Sequence, residues 1–146
     1  MSELTDDYVA AGFGGSLGFG AKPAVILIDV ARAYIEPDAP LYVGSEDAFQ
    51  SMMELAEIAR SADVPVIWTR VEYRPGGADG GLFYRKVPVL SVFDKGNPLG
   101  DFDPRLKPAD NELVITKQYP SAFFGTSLAS TLNMIRVDTC LLAGFS

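Results

Sequence analysis

Ala24-Val25-Ile26-Leu27-Ile28-Asp29 is an unbroken apolar run closed by a carboxylate. Such a run suits a parallel strand buried on both faces, whereas strict alternation would mark a strand with one wet face. Leu113-Val114-Ile115-Thr116-Lys117 repeats the design with an ammonium at its end. Reading outward, the first strand extends over Ala24 to Val30, and Val64 to Arg70 and Thr139 to Gly144 supply two more. Between the first two, Pro37, Pro40 and Gly44 break the chain, and Ser45 stands where it can cap a helix running to about Ser61. Phe49, Met52, Met53, Ala56 and Ala59 share one face of that helix at core-packing spacing. Thr126 or Ser127 caps a shorter helix on which Leu128, Leu132 and Ile135 align. Strand and helix alternate, so residues 24 to 70 form one right-handed βαβ unit. The fold class is α/β: a three-layer α/β/α, Rossmann-like arrangement around a parallel sheet.

The 146 residues fit one domain. Residues 1 to 23 read as a flexible glycine-rich arm, with Phe13, Leu17 and Phe19 free to dock on a neighbouring subunit, and 24 to 146 as the domain. The arm is not a dinucleotide loop. It precedes the first strand, and its glycines do not fit the Gly-x-Gly-x-x-Gly spacing. A net charge of −7 with no cluster of Lys and Arg speaks against a nucleic-acid or anionic-membrane surface. No apolar run approaches the ~18 residues of a membrane span. Glu3, Asp6 and Asp7 precede the first lysine, Lys22, which is the reverse of a secretory leader, so a cytoplasmic setting is expected. One cysteine, Cys140, excludes a disulfide framework. It lies within Thr139-Cys140-Leu141-Leu142-Ala143 and is expected to be a buried small hydrophobe.

The chain has no histidine, so the usual general base and the usual metal ligand are missing. Neither a metal nor an organic cofactor is expected. Proton chemistry would fall to a carboxylate and an ammonium. Asp29 and Lys117 each close a strand, at the sheet edge where open α/β folds bind ligands. Taken singly, Asp29 could also cap a turn, and Lys117 could be a solvated surface charge. Arg70 ends the second strand, where it could meet an anionic substrate or form a surface ion pair. Residues 71 to 112 hold five prolines and six glycines with little periodicity beyond a helical turn at Leu82 to Lys86. A connection that long is functional or disordered. Its aromatics, Tyr73, Phe83, Tyr84, Phe93 and Phe102, favour an ordered cover over an active site, with Phe83 as a substrate-facing candidate.

Three segments together resemble one family. They are Ile28-Asp29-Val30, then Lys117-Gln118-Tyr119-Pro120-Ser121-Ala122-Phe123-Phe124-Gly125-Thr126, and then Ala143-Gly144-Phe145-Ser146. The resemblance is to the cysteine hydrolases that include isochorismatase, nicotinamidase and N-carbamoylsarcosine amidase, and it runs from about Pro23 to Ser146. Asp79 to Pro88 looks most like the N-carbamoylsarcosine amidase branch, and the lack of histidine departs from the metal site of nicotinamidases.

That resemblance implies an isochorismatase-like hydrolase fold and an Asp-Lys-Cys triad, with Asp29 and Lys117 as its first two members. The triad cysteine and the C-terminal part of the domain are expected beyond Ser146. The family's oxyanion donors come from a nucleophile elbow with a non-proline cis peptide, which maps to Phe145–Ser146. Tyr34 falls where the family has an aromatic substrate wall. The implied reaction is hydrolysis of a linear amide or carbamoyl bond in a small molecule, with release of ammonia. The alternatives are a vinyl ether hydrolase of the isochorismatase type and an inactive binding or assembly module. The family also implies a homodimer or homotetramer.

Overall fold

A computed structural model describes residues 3–13 and 15–145. Four strands form one sheet, in the order β3-β2-β1-β4: β1 (Pro23–Ile28), β2 (Val66–Val71), β3 (Leu113–Lys117) and β4 (Thr139–Gly144). Every pairing is parallel, with Ile28 level with both Thr69 and Gly144, and Val71 level with Lys117. The α/β reading therefore holds, and the strand ends differ from the sequence reading by at most two residues.

Alternation along each strand splits the core into two layers. Val25, Leu27, Val66 and Trp68 point to one face, where helix α3 (Glu46–Ser61) covers them with Phe49, Met52, Ala56 and Ala59. Ala24, Ile26, Ile67 and Ile115 point to the other, beneath Leu128 and Leu132 of α5 (Leu128–Met134). Glu46 and Asp47 in the first turn of α3 and Arg60 in its last turn suit the helix dipole. Ser45 sits at its N-cap, but no side-chain cap bond forms, because the hydroxyl donates backward to the Val43 carbonyl. At α5 the Thr126 hydroxyl does accept the Leu128 N–H, at 3.1 Å. Ile135 falls just past that helix and is 37% exposed, so it leaves the face that Leu128 and Leu132 share.

Two elements were not anticipated. A helix, α1 (Glu3–Ala10), occupies the start of the arm. The arm's glycines begin only at Gly12, and nothing before them breaks a helix. A four-residue helix, α2 (Arg32–Ile35), follows β1 directly. The arm joins the domain through Asp138, whose carboxylate accepts the Ala21 and Lys22 N–H groups, each at 2.9 Å. Phe13, Leu17 and Phe19 are exposed.

Cys140 corrects the sequence reading: its thiol is exposed. In β4 only Leu141 and Ala143 pack into the α3 layer, while Cys140 and Leu142 alternate onto the other face and stay exposed. Among the described residues no strand pairs with the outer edge of β4. No helix among them is long and apolar enough to cross a membrane.

The long connection from β2 to β3 is ordered. It carries α4 (Gly81–Lys86) and three short 3-10 turns. Asp94 ties it together by accepting the Gly76 N–H at 3.0 Å and the Tyr84 hydroxyl at 2.9 Å. Tyr73 and Phe93 are buried there with Ala31 and Ala33.

Candidate active site

Asp29 and Lys117 meet. The strand between theirs is β2, and the lysine side chain reaches across it to place Nζ 2.8 Å from Asp29 Oδ2. Their side chains are 2% and 4% exposed, so the ion pair is sealed from bulk solvent. Water would screen such a pair strongly; here it is worth far more, and each charge is costly without the other.

Each partner is held by further bonds. Thr69 donates its hydroxyl to Asp29 Oδ1 at 2.6 Å, from the position level with Ile28. The Asp29 N–H points back to Thr69, to its carbonyl and its hydroxyl, both at 3.2 Å. Asp29 itself has φ +50°, a left-handed conformation that strains most residues and that aspartate tolerates better than most. This bend turns the carboxylate away from the strand direction and toward the lysine. Lys117 Nζ donates a second bond, to the Pro120 carbonyl at 2.9 Å. An ammonium has three donors, so among the described residues one remains for a ligand. Thr69 is the member of this hydrogen-bonded cluster that the sequence reading missed. Its only signal was a hydroxyl in an otherwise apolar run, at the point level with the end of β1.

Aromatic rings wall one side. Tyr34 of α2 stacks on Phe145, with ring centroids 5.9 Å apart, and leans on Phe93 at 5.8 Å. The Phe145 N–H donates to the Ile28 carbonyl at 3.1 Å, which holds the turn after β4 beside Asp29. Gly144 makes that approach feasible, because a Cβ there would lie 2.2 Å from the Ile28 carbonyl oxygen. Tyr34 and Phe145 are thus brought to the Asp29 end of the sheet. Ser146, and with it the Phe145–Ser146 bond, lies outside the described residues.

Among the described residues neither Arg70 nor Phe83 bonds to the pair. The Arg70 side chain leaves β2 on the Trp68 face, opposite Thr69. It bonds Glu72 at 3.1 Å, lies 3.8 Å from Asp101 and sits over the Phe102 ring. Its Nε is buried without a hydrogen-bond partner. Phe83 is exposed on α4. Among the described residues no group of three or more potential ligands could hold a metal ion.

A cleft of about 580 Å³ opens at the opposite end of the sheet, lined by Arg60, Glu112, Leu113 and Thr131 among others. Asp29 and Lys117 do not line it, and two of its charged groups, Arg60 and Glu112, are paired with each other.

The arrangement can hold and move a proton: a buried carboxylate beside a fixed ammonium with a donor to spare, at the carboxyl edge of a parallel sheet. Comparison with known proteins gives the family. The chain belongs to the isochorismatase domain family, which matches residues 23–146. It is 43% identical over 136 residues to a maleamate amidohydrolase of Pseudomonas putida, covering 92% of this chain and 64% of that protein. It is 37% identical over 146 residues to an N-carbamoylsarcosine amidase of an Arthrobacter species, covering 96% of this chain and 55% of that protein. The chain therefore spans less than two thirds of the length of either relative. In structure it resembles a cysteine hydrolase from Pseudomonas syringae, with a TM-score of 0.80 and 30% identity, covering 86% of this chain and 60% of that one.

Proposed function

We propose that this member of the isochorismatase domain family serves an amidohydrolase that cleaves a linear amide or carbamoyl bond of a small molecule and releases ammonia. The buried Lys117–Asp29 pair carries the reading. The relatives named for hydrolysis of maleamate and N-carbamoylsarcosine support the bond class.

The chemistry follows from the two charges. The nucleophile this reading calls for is a thiol carried on the turn after β4 in the full-length protein. A free thiol is mostly protonated at neutral pH, and a thiolate beside an ammonium is favoured. Asp29 takes the thiol proton while Lys117 turns its remaining N–H to the sulfur. The sulfur attacks the amide carbon and forms a C–S bond, and the C–N electrons leave with the amine. Asp29 returns the proton, so the nitrogen departs as ammonia. Water then gives a proton to Asp29 and attacks the thioester. The C–S bond breaks, and the thiol is restored as the acid is released. Main-chain N–H groups near Phe145 would hold the oxyanion in both steps. Tyr34 and Phe145 form the aromatic wall of the acyl pocket in this scheme.

The test is ammonia release by the full-length protein from maleamate and from N-carbamoylsarcosine. Turnover of either one, lost in Asp29→Asn, supports the proposal. Cleavage of a vinyl ether with no ammonia from any amide would replace it with the isochorismatase-type reading.

A further inference from the structure

Tyr73 is a buried phenol that the proposed chemistry leaves unused. It lies two residues past the end of β2 and is 3% exposed. Its ring is buried in one cluster with Ala31, Ala33 and Phe93, beside the turn that carries Asp29. Tyr84 meets it edge-on at 4.9 Å. Its N–H donates to the Phe93 carbonyl at 2.9 Å, and its carbonyl accepts the Lys95 N–H at 2.8 Å, so the ring is held from both sides.

The two neighbouring phenols differ. Tyr84 donates its hydroxyl to Asp94. Among the described residues no hydrogen bond uses the Tyr73 hydroxyl. The ring is buried and the hydroxyl is committed to no described neighbour, so the O–H is the part of Tyr73 free to meet a ligand. Burial, with Tyr34 and Asp29 nearby, pushes its pKa up, so it stays an O–H donor through the neutral range. A donor there suits an oxygen of the substrate. The departing nitrogen, itself a donor, belongs with Asp29.

We propose that Tyr73 is a specificity-determining residue of the Asp29–Lys117 site, its hydroxyl donating a hydrogen bond to an oxygen on the acyl side of a small amide or carbamoyl substrate. The inference rests on the proposed reading of that site. It requires the ligand to lie against the Tyr34–Phe93 wall, with the acyl oxygens toward the cover and the C–N bond toward Lys117.

Full-length wild type and Tyr73→Phe are compared in three measurements: steady-state hydrolysis of maleamate, calorimetric binding of maleate, and thermal melting. Maleate keeps the acyl-side oxygens and has no C–N bond, so its binding is read without turnover. The substitution keeps the ring and removes only the hydroxyl. Tyr73→Phe should raise KM for maleamate about tenfold and weaken maleate by a similar factor. Its kcat should stay within about threefold, and Tm should be unchanged. Unchanged KM and maleate affinity would overturn the assignment, as would a large drop in Tm, which would make the hydroxyl structural. If wild type releases no ammonia while Tyr73→Phe still weakens maleate, amide hydrolysis fails and the role of Tyr73 stands. A wild type that neither turns over maleamate nor binds maleate overturns the inference.

Discussion

Lys117 and Asp29 meet at the carboxyl edge of the sheet, and Arg60 and Glu112 meet at its amino edge; the two ion pairs are built differently. At the amino edge Arg60 reaches both carboxylate oxygens of Glu112, at 2.7 and 2.8 Å, and also the Lys107 carbonyl at 3.1 Å. Glu112 further accepts the Trp68 indole N–H at 2.8 Å and the Ala109 N–H at 2.9 Å. This carboxylate is saturated, and the Arg60 side chain is 38% exposed. At the carboxyl edge the pair is fully buried, its aspartate sits in a left-handed conformation, and its lysine keeps one donor uncommitted. A fold that sought only stability would satisfy the ammonium and relax the backbone. The strained, incompletely satisfied end is the one where we propose that the ligand binds.

Removing one charge from each pair gives the largest contrast. Lys117→Met strips Asp29 of its counter-charge in a dry site, and unfolding in denaturant should show a loss of about 3–5 kcal/mol. Asp29→Asn, with a residue that tolerates the left-handed backbone, should cost somewhat less, and the double variant should recover much of the loss. In the full-length protein either single change should lower turnover by about 10²–10⁴-fold. Arg60→Met at the half-exposed pair should cost about 1 kcal/mol and leave turnover intact. Equal losses at the two ends would erase the distinction.

A second prediction probes backbone crowding at the carboxyl edge. A Cβ on Gly144 would lie 2.2 Å from the Ile28 carbonyl oxygen and 2.6 Å from the Ile28 Cβ. Neither atom can swing aside, because Ile28 is within β1 and its carbonyl accepts the Phe145 N–H. Gly144→Ala should destabilise the protein by roughly 2–3 kcal/mol and shift the turn after β4 away from Asp29. An unchanged melting temperature would show that the sheet edge is softer than its geometry implies.

The two ends also differ in how far the sequence revealed them. Asp29 and Lys117 stood out because each closes an apolar run and both fall in segments that resemble one family; singly, either could have been a turn cap or a surface charge. Apolar runs and helical spacing likewise placed all four strands and the buried face of α3, but on α5 only Leu128 and Leu132, since Ile135 lies past its end. Thr69 was hidden because a threonine is at home in any strand, and its role depends on register with β1. Arg60, Glu112 and Trp68 come from three separate segments, so no local pattern joins them. Cys140 was misread because exposure at an edge strand depends on what lies beside it in space. Its run is as apolar as that of β1, yet only Leu141 and Ala143 find partners. Arg70 shows the same limit: its position at a strand end was legible, but not its acidic neighbours Glu72 and Asp101.

The smallest expected effect isolates the amino edge by pH. Burial alone would push the Glu112 carboxyl up, but the bonds from Arg60, Ala109 and Trp68 outweigh it and hold the group below its ordinary value of 4.5. A carboxylate depressed in the folded state contributes stability that is complete above the unfolded value. The contribution is lost as pH falls through the folded one. Glu112→Gln keeps an oxygen for the indole and gives up the charge, so at neutral pH it should cost about 1–2 kcal/mol. Trp68 is the only tryptophan in the chain, and its fluorescence reports unfolding at this edge directly. The gap in melting temperature between wild type and Glu112→Gln should stay constant from pH 8 to about pH 5 and close progressively below the ordinary carboxylate range. Asp103 and Asp138, whose carboxyls are also held low, titrate in both proteins and cancel in the difference. A gap that persists undiminished to pH 3 would mean that Glu112 acts through shape and neutral hydrogen bonds. The amino edge would then owe nothing to its charge, and the contrast with Asp29 would be one of electrostatics against packing.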